Sequence, residues 1–152
     1  MSETASPDYS GYVVDASVAI KLFIEEQLSE RAYALFELLT GAQPVVFYVP
    51  DLFFIECTNV LWKYVRWGGL SLNSAQENLF DLARLGFIVT STADLMAESL
   101  EIAHRQSISA YDACYVALAA RRNVPFISAD EKLVQTLPGS IWLGNFDIED
   151  KK

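Results

Sequence analysis

Short, wholly apolar runs alternate along the chain with stretches in which apolar residues recur every three or four positions. Tyr12–Val14, ending at Asp15, reads as a buried strand, and VVFYV at 45–49, β-branched and aromatic, as a second. Phe87–Thr90 and, after Pro125, Phe126–Ser128 supply two more, and Ile141–Leu143 follows the Pro138-Gly139 turn as an edge strand. Between the strands, Ser17–Phe23 predicts a short helix. Leu28–Leu39 places Leu28, Ala32, Leu35, Phe36 and Leu39 at helical spacing and stops at Gly41. Pro50 and Asp51 open a long helix that runs to Trp67 and ends at Gly68-Gly69. Ser71 or Asn73 caps the next, which reaches Leu85. Thr92 begins one through Gln106, Ser109 one through Arg122, and Glu131–Leu137 forms a last helical turn.

Strands this short and this apolar need cover on both faces, and the intervening helices provide it. The expected fold is α/β: a three-layer α/β/α domain around a mainly parallel central sheet of 4–5 strands. Residues 1–10, polar and Pro-containing, are expected as a flexible tail, 11–144 as a single domain, and 145–152 as an acidic tail. There is no repeat, low-complexity tract or linker. At 152 residues and 52% apolar, the chain has the length and composition for a sizeable core.

Charge narrows the chemistry. Eleven Lys and Arg against twenty Asp and Glu give a net charge of −9. A protein that held nucleic acid by general attraction would be basic, so any contact with nucleic acid has to be confined to a local site. Such a surface also suits a basic protein partner. No run is long and apolar enough to span a bilayer, and Met1–Gly11 lacks a secretory signal pattern, so a cytoplasmic location away from membranes is expected. Cys57 and Cys114 lie far apart in apolar settings and read as buried free thiols. Gly-rich phosphate loops and HExxH are absent, and His104, the single histidine, reads as a surface residue on a helix.

Four carboxylates stand out against apolar neighbours: Asp15 at the end of YVV, Glu56 inside LFFIECTNVL, Asp112 in SAYDACYVALAA, and Asp130 after FIS. Three have a purely structural reading. Asp15 and Asp130 are placed to cap the helices that follow them, and Asp112 stands at capping-box spacing from Ser109. Glu56 lies in a helix interior and caps nothing. It shares a face with Asn59, Lys63 and Arg66, which is either solvated or lines a groove. Joint placement favours a site, because ligands bind parallel sheets beyond the carboxyl ends of the strands, where Asp15 and Asp130 stand. Four converging acids repel one another unless a cation lies between them, and carboxylate oxygens without Cys or His suit Mg²⁺ or Mn²⁺. Metal-assisted phosphodiester hydrolysis is the reaction such a site supports.

The strings YVVDASVAIKLF, PDLFFIECTNVLWKY and QSISAYDACYVALAARRNVPFISADEKL, in this order over Tyr12 to Leu143, resemble the PIN-domain ribonucleases and, among them, the VapC-type toxins of toxin–antitoxin pairs. The D-x-S opening, the YDA helix and the S-x-D-x-x-L ending are individually loose and jointly specific. The resemblance implies that Asp15, Glu56, Asp112 and Asp130 form an acidic metal site. Ser17 and Ser128 then match its accompanying polar positions. It further implies dependence on Mg²⁺ or Mn²⁺, cleavage of single-stranded or loop RNA, and a homodimer inhibited by a small antitoxin. Lys21, Lys63 and Arg66 are candidate contacts to RNA phosphates. Trp62, Tyr64, Trp67 and Tyr115 are candidates either for base stacking or for core and interface packing. Two alternatives stay open: a PIN endonuclease of RNA processing or decay without an antitoxin, and a catalytically inactive PIN-like binding module. A phosphoaspartate-type enzyme is disfavoured, since Ser17 stands where a second acid would follow Asp15.

Overall fold

The computed structural model describes residues 9–147. The tails expected at 1–10 and 145–152 therefore lie outside it, apart from their inner residues. Tyr9 stacks edge-on against Tyr12, and Phe146 is buried, its carbonyl accepting from Arg31, so the packed chain continues past residue 144.

Five strands, β1 (Gly11–Val14), β2 (Val46–Pro50), β3 (Ile88–Thr90), β4 (Phe126–Ser128) and β5 (Ile141–Trp142), form one sheet in the order β3-β2-β1-β4-β5. Every pairing is parallel. The central strands β1 and β4 are buried along their whole length, as their unbroken apolar sequence demands. The outer strand β3 leaves Ile88 and Val89 exposed. Gly11 allows β1 to approach β2 closely, because a Cβ there would stand 2.6 Å from the Val46 carbonyl oxygen.

The helices are α1 (Ala16–Ala19), α2 (Ser29–Glu37), α3 (Leu52–Trp67), α4 (Leu72–Ala83), α5 (Met96–Gln106), α6 (Ala110–Arg122) and α7 (Glu131–Gln135). Two expected helices begin or end as 3₁₀ turns: Ile20–Leu22 continues α1, and Thr92–Leu95 precedes α5. Leu28, expected inside α2, instead precedes it in the left-handed region at φ 69°. Ser71, not Asn73, caps α4, its side chain accepting from the Ser74 N–H.

The chain builds the sheet outward from β1 through β2 to β3, then returns to the other side of β1 for β4 and β5. Right-handed crossovers therefore put α1–α4 on one face and α5–α7 on the other. The packing follows: α1 meets α3 and α3 meets α4, while α5 lies on α6, which covers β1 and β2. Beneath β2, edge-to-face contacts among Phe36, Phe47, Phe53, Phe54 and Phe87 lock α2 and α3 to the sheet. The reversal of strand order falls between β1 and β4. Their carboxyl ends form the crevice where an open parallel sheet binds ligands.

Candidate active site

Asp15 follows β1 immediately, and Ser128 ends β4. Val14 pairs with Ile127 across the two strands, and the Asp15 N–H donates to the Ile127 carbonyl at 3.0 Å, so Asp15 and Ser128 meet at the rim. The Ser128 hydroxyl donates to Asp15 Oδ2 at 2.7 Å, and the Ser17 hydroxyl donates to the same oxygen at 2.8 Å. Ser17 in turn accepts from the Ala129 N–H, and Ser128 from the Asp130 N–H, both at 3.1 Å. Asp15 occupies the N-cap position of α1 but makes no capping hydrogen bond. Its carboxylate is held by two serines, and capping does not account for it. Burial pushes Asp15 well above the usual carboxylate range, the serine hydroxyls pull it back, and the charge of Asp112 raises it again.

Glu56 reaches the same region from the middle of α3. It is half-buried, and the hydroxyl of Tyr115, on α6 and wholly buried, donates to its Oε1 at 2.8 Å. Burial pushes the Glu56 carboxyl up to about 7; the tyrosine hydrogen bond opposes this, and the charges of Asp15 and Asp112 add to it. Burial, with Asp15 and Glu56 nearby, drives Tyr115 above the range in which it loses its proton, so it acts as a donor. Cys57 is likewise driven up by burial first, then by Asp15 and Glu56, and stays a thiol.

Asp112 stands in the first turn of α6, half-buried. Ser109 caps that helix by accepting the Asp112 N–H at 3.1 Å. The Asp112 carboxyl is raised by burial, lowered by the Ser109 hydroxyl and raised by Asp130. Asp130 is exposed and does cap α7, its Oδ1 accepting from the Leu133 N–H at 3.1 Å. The four acids thus form an electrostatic chain: Asp130 acts on Asp112, and Asp112 on both Asp15 and Glu56.

As a donor set, four carboxylates and two hydroxyls with the nearby sulfur kept protonated match a hard, oxygen-seeking dication. Glu56 Oε2 and Asp130 Oδ2 carry no protein hydrogen bond among the described residues. These side chains do not already enclose one point: among the described residues, no three His, Cys, Asp or Glu side chains stand in a metal-holding arrangement. The fit is one of charge and donor type, with each carboxylate held by its own local partner.

The other expected site residues separate into two groups. Lys21 is buried and its ammonium pairs with Glu26 Oε1 at 3.0 Å; the other Glu26 oxygen accepts from Tyr64 at 2.9 Å. Lys21 and Tyr64 therefore tie the α1–α2 connection to α3 instead of facing solvent. Asn59, Lys63 and Arg66 are exposed and continue the Glu56 face of α3 outward. Tyr115 is the functional neighbour that residue patterns left among several aromatics. Its one signal was its position three residues after Asp112, which turns both side chains to the same side of α6.

Fold and rim together define an α/β/α domain that gathers carboxylates at the switch point of a parallel sheet. The family model described as the PIN domain matches residues 12–136, and the chain belongs to that family. It is similar to "Ribonuclease VapC3" of Pyrobaculum aerophilum, 30% identical over 131 residues, which covers 85% of this chain and 96% of that protein. Solved structures share the fold. PAE2754 from Pyrobaculum aerophilum superposes with a TM-score of 0.67 at 23% identity, covering 88% of this chain and 84% of that one. A toxin–antitoxin complex from Klebsiella pneumoniae gives 0.64 at 17%, with 87% and 97% covered. Mycobacterium tuberculosis VapC20, described as a sarcin–ricin loop cleaving toxin, gives 0.58 at 20%, with 84% and 95% covered.

Proposed function

We propose that this protein is a divalent-metal-dependent endoribonuclease and the toxin of a type II toxin–antitoxin pair. The observation that carries the reading is Glu56: a carboxylate in the interior of a long helix, half-buried, hydrogen-bonded by a buried tyrosine, and raised first by burial and then by the charges of Asp15 and Asp112. A solvated helix face needs none of these features. The ribonuclease relative, matched over nearly its whole length, supports RNA as the substrate, and the toxin–antitoxin neighbour supports an inhibitory protein partner.

In this reading Asp15, Asp112, Asp130 and Glu56 hold Mg²⁺ or Mn²⁺, which supplies Lewis acidity toward water and the scissile phosphate. Ser17 and Ser128 keep the Asp15 carboxylate in one orientation through Oδ2. Tyr115 fixes Glu56 through Oε1 and leaves Oε2 without a protein hydrogen bond among the described residues, so that oxygen is the one that would face the metal. Lys63 and Arg66 contact backbone phosphates. A second copy of the chain covers the apolar cleft of about 370 Å³ lined by Leu52, Met96, Leu100 and Tyr111, making a homodimer. Among the described residues no helix is long and apolar enough to cross a membrane, in keeping with a cytoplasmic enzyme.

The test is RNA cleavage with Mg²⁺, Mn²⁺ or EDTA by wild type and Asp112→Asn, with thermal stability followed in parallel. The reading expects cleavage only with metal, and metal stabilisation that disappears in the variant. Cleavage in EDTA, or equal stabilisation of the variant, would defeat it.

A further inference from the structure

Two of the largest exposed apolar side chains in the protein lie on α3 beyond the acidic rim. Trp62 is 51% and Trp67 69% exposed, although indoles are normally drawn into a core. The Arg66 guanidinium bridges them, 4.7 Å from the centre of the Trp67 ring and 5.9 Å from that of Trp62. Neither Arg66 nor the exposed Lys63 forms an ion pair among the described residues, whereas Lys21, Arg105 and Arg121 do. Arg66 seated over two exposed indoles, with Lys63 beside it and neither cation in an ion pair among the described residues, forms a locally positive platform on a chain of net charge −9.

Helix geometry ties this platform to the rim. Trp67 follows Glu56 by eleven residues, about three whole turns, so it lies on the same line of α3 and about 16 Å farther along. Asn59, Lys63 and Arg66 occupy the exposed surface between, and the row is continuous with the acidic cleft.

We propose that Trp62, Arg66 and Trp67 form a stacking platform for unpaired bases of an RNA strand whose phosphodiester lies at the acidic rim, with Lys63 against the intervening phosphates. The proposal rests on the reading of that rim as the place where RNA is cut, and it adds a second binding site on α3, which takes bases about four or five stacked nucleotides from the scissile bond at about 3.4 Å each. Every base has an aromatic face, so stacking is tolerant of sequence but needs the base out of a duplex. Charge complementarity favours a polyanion here over the basic segment of a protein partner, which Lys63 and Arg66 would repel.

The test measures binding apart from cleavage, using the full chain in EDTA. Fluorescence anisotropy follows a labelled single-stranded RNA 12-mer and the same sequence as a duplex, for wild type, Trp67→Ala, Trp67→Phe and Trp62→Ala. The expected result is preference of wild type for the single strand, about ten-fold loss in Trp67→Ala and retention in Trp67→Phe. Circular dichroism checks that each exposed substitution leaves the fold intact. Equal binding by wild type and both alanine variants overturns the platform. So does unchanged RNA binding coupled with lost capture of a co-produced protein partner. Single-strand binding through the tryptophans without metal-dependent cleavage keeps the platform and defeats the nuclease reading; cleavage with KM unmoved by either substitution does the reverse. Wild type that neither binds nor cleaves RNA defeats both.

Discussion

The hydroxyl of Tyr115 donates to Oε1 of Glu56 at 2.8 Å, joining α6 to α3 across the acidic rim. Tyr115→Phe removes that donor and leaves a half-buried carboxylate without it. The expected loss of stability is about 1–3 kcal/mol at neutral pH, measured by urea denaturation. The same variant should need more Mn²⁺ for half-maximal thermal stabilisation, because Glu56 is no longer held in one rotamer. An unchanged metal titration would show that the hydrogen bond is structural alone.

Asp15→Asn keeps the shape that Ser17 and Ser128 surround and deletes the charge. Burial already raises Asp15, so its ionised form costs stability. The variant should melt at the same temperature as wild type or higher in EDTA, and lose about 100-fold or more of RNA cleavage in Mn²⁺. Cleavage at the wild-type rate by the folded variant would remove Asp15 from the site.

Burial of these acids, and after it their mutual repulsion, also sets a pH dependence. Glu56 is raised from 4.5 to about 7, so between these values the folded chain binds more protons than the unfolded one. The stabilisation from its protonated form is complete below 4.5 and is lost as pH rises through about 7; Asp15 and Asp112, also raised, act in the same direction. Melting temperature in EDTA should fall from pH 5 to pH 8, and saturating Mn²⁺ should flatten that fall. A rise over the same interval in EDTA would mean that neither burial nor mutual repulsion holds these carboxyls above their ordinary range.

Lys63→Glu places an acid among the cations of α3. Cleavage of RNA should weaken, and the slope of log affinity against log salt should shrink by about one. An unaltered slope would make Lys63 an ordinary surface residue.

Leu100 is 71% exposed beside the cleft that the proposed homodimer covers. Leu100→Lys should shift the mass measured by light scattering from dimer to monomer with little change in helix content. A wild-type monomer at the same concentration would assign that cleft elsewhere.

Residue patterns alone located much of this architecture. The strands at Tyr12–Val14 and Phe126–Ser128 were legible because central strands of a parallel sheet are buried on both faces and read as unbroken apolar runs. Ser109 was legible as a cap because capping is settled within one turn. Lys21 was not: its exposure depends on Glu26 folding back from the α1–α2 connection, and no local period encodes that. Aromatic positions on α3 were equally ambiguous. Tyr64 and Trp67 share a helix and a composition, yet one is committed to Glu26 and the other faces solvent.

By itself the sequence determined the alternation of strand and helix, the parallel sheet, and which carboxylates stand at strand ends or interrupt apolar stretches. These depend on periodicity and on neighbours a few residues away. Tertiary structure alone decided what each acid does. Asp15 is held by Ser128 from 113 residues away, Glu56 by Tyr115 from 59, and Asp130 keeps its cap while Asp15 gives its own up. Burial and the distance between charges set those outcomes, and both are fixed only when separate helices close on one sheet edge.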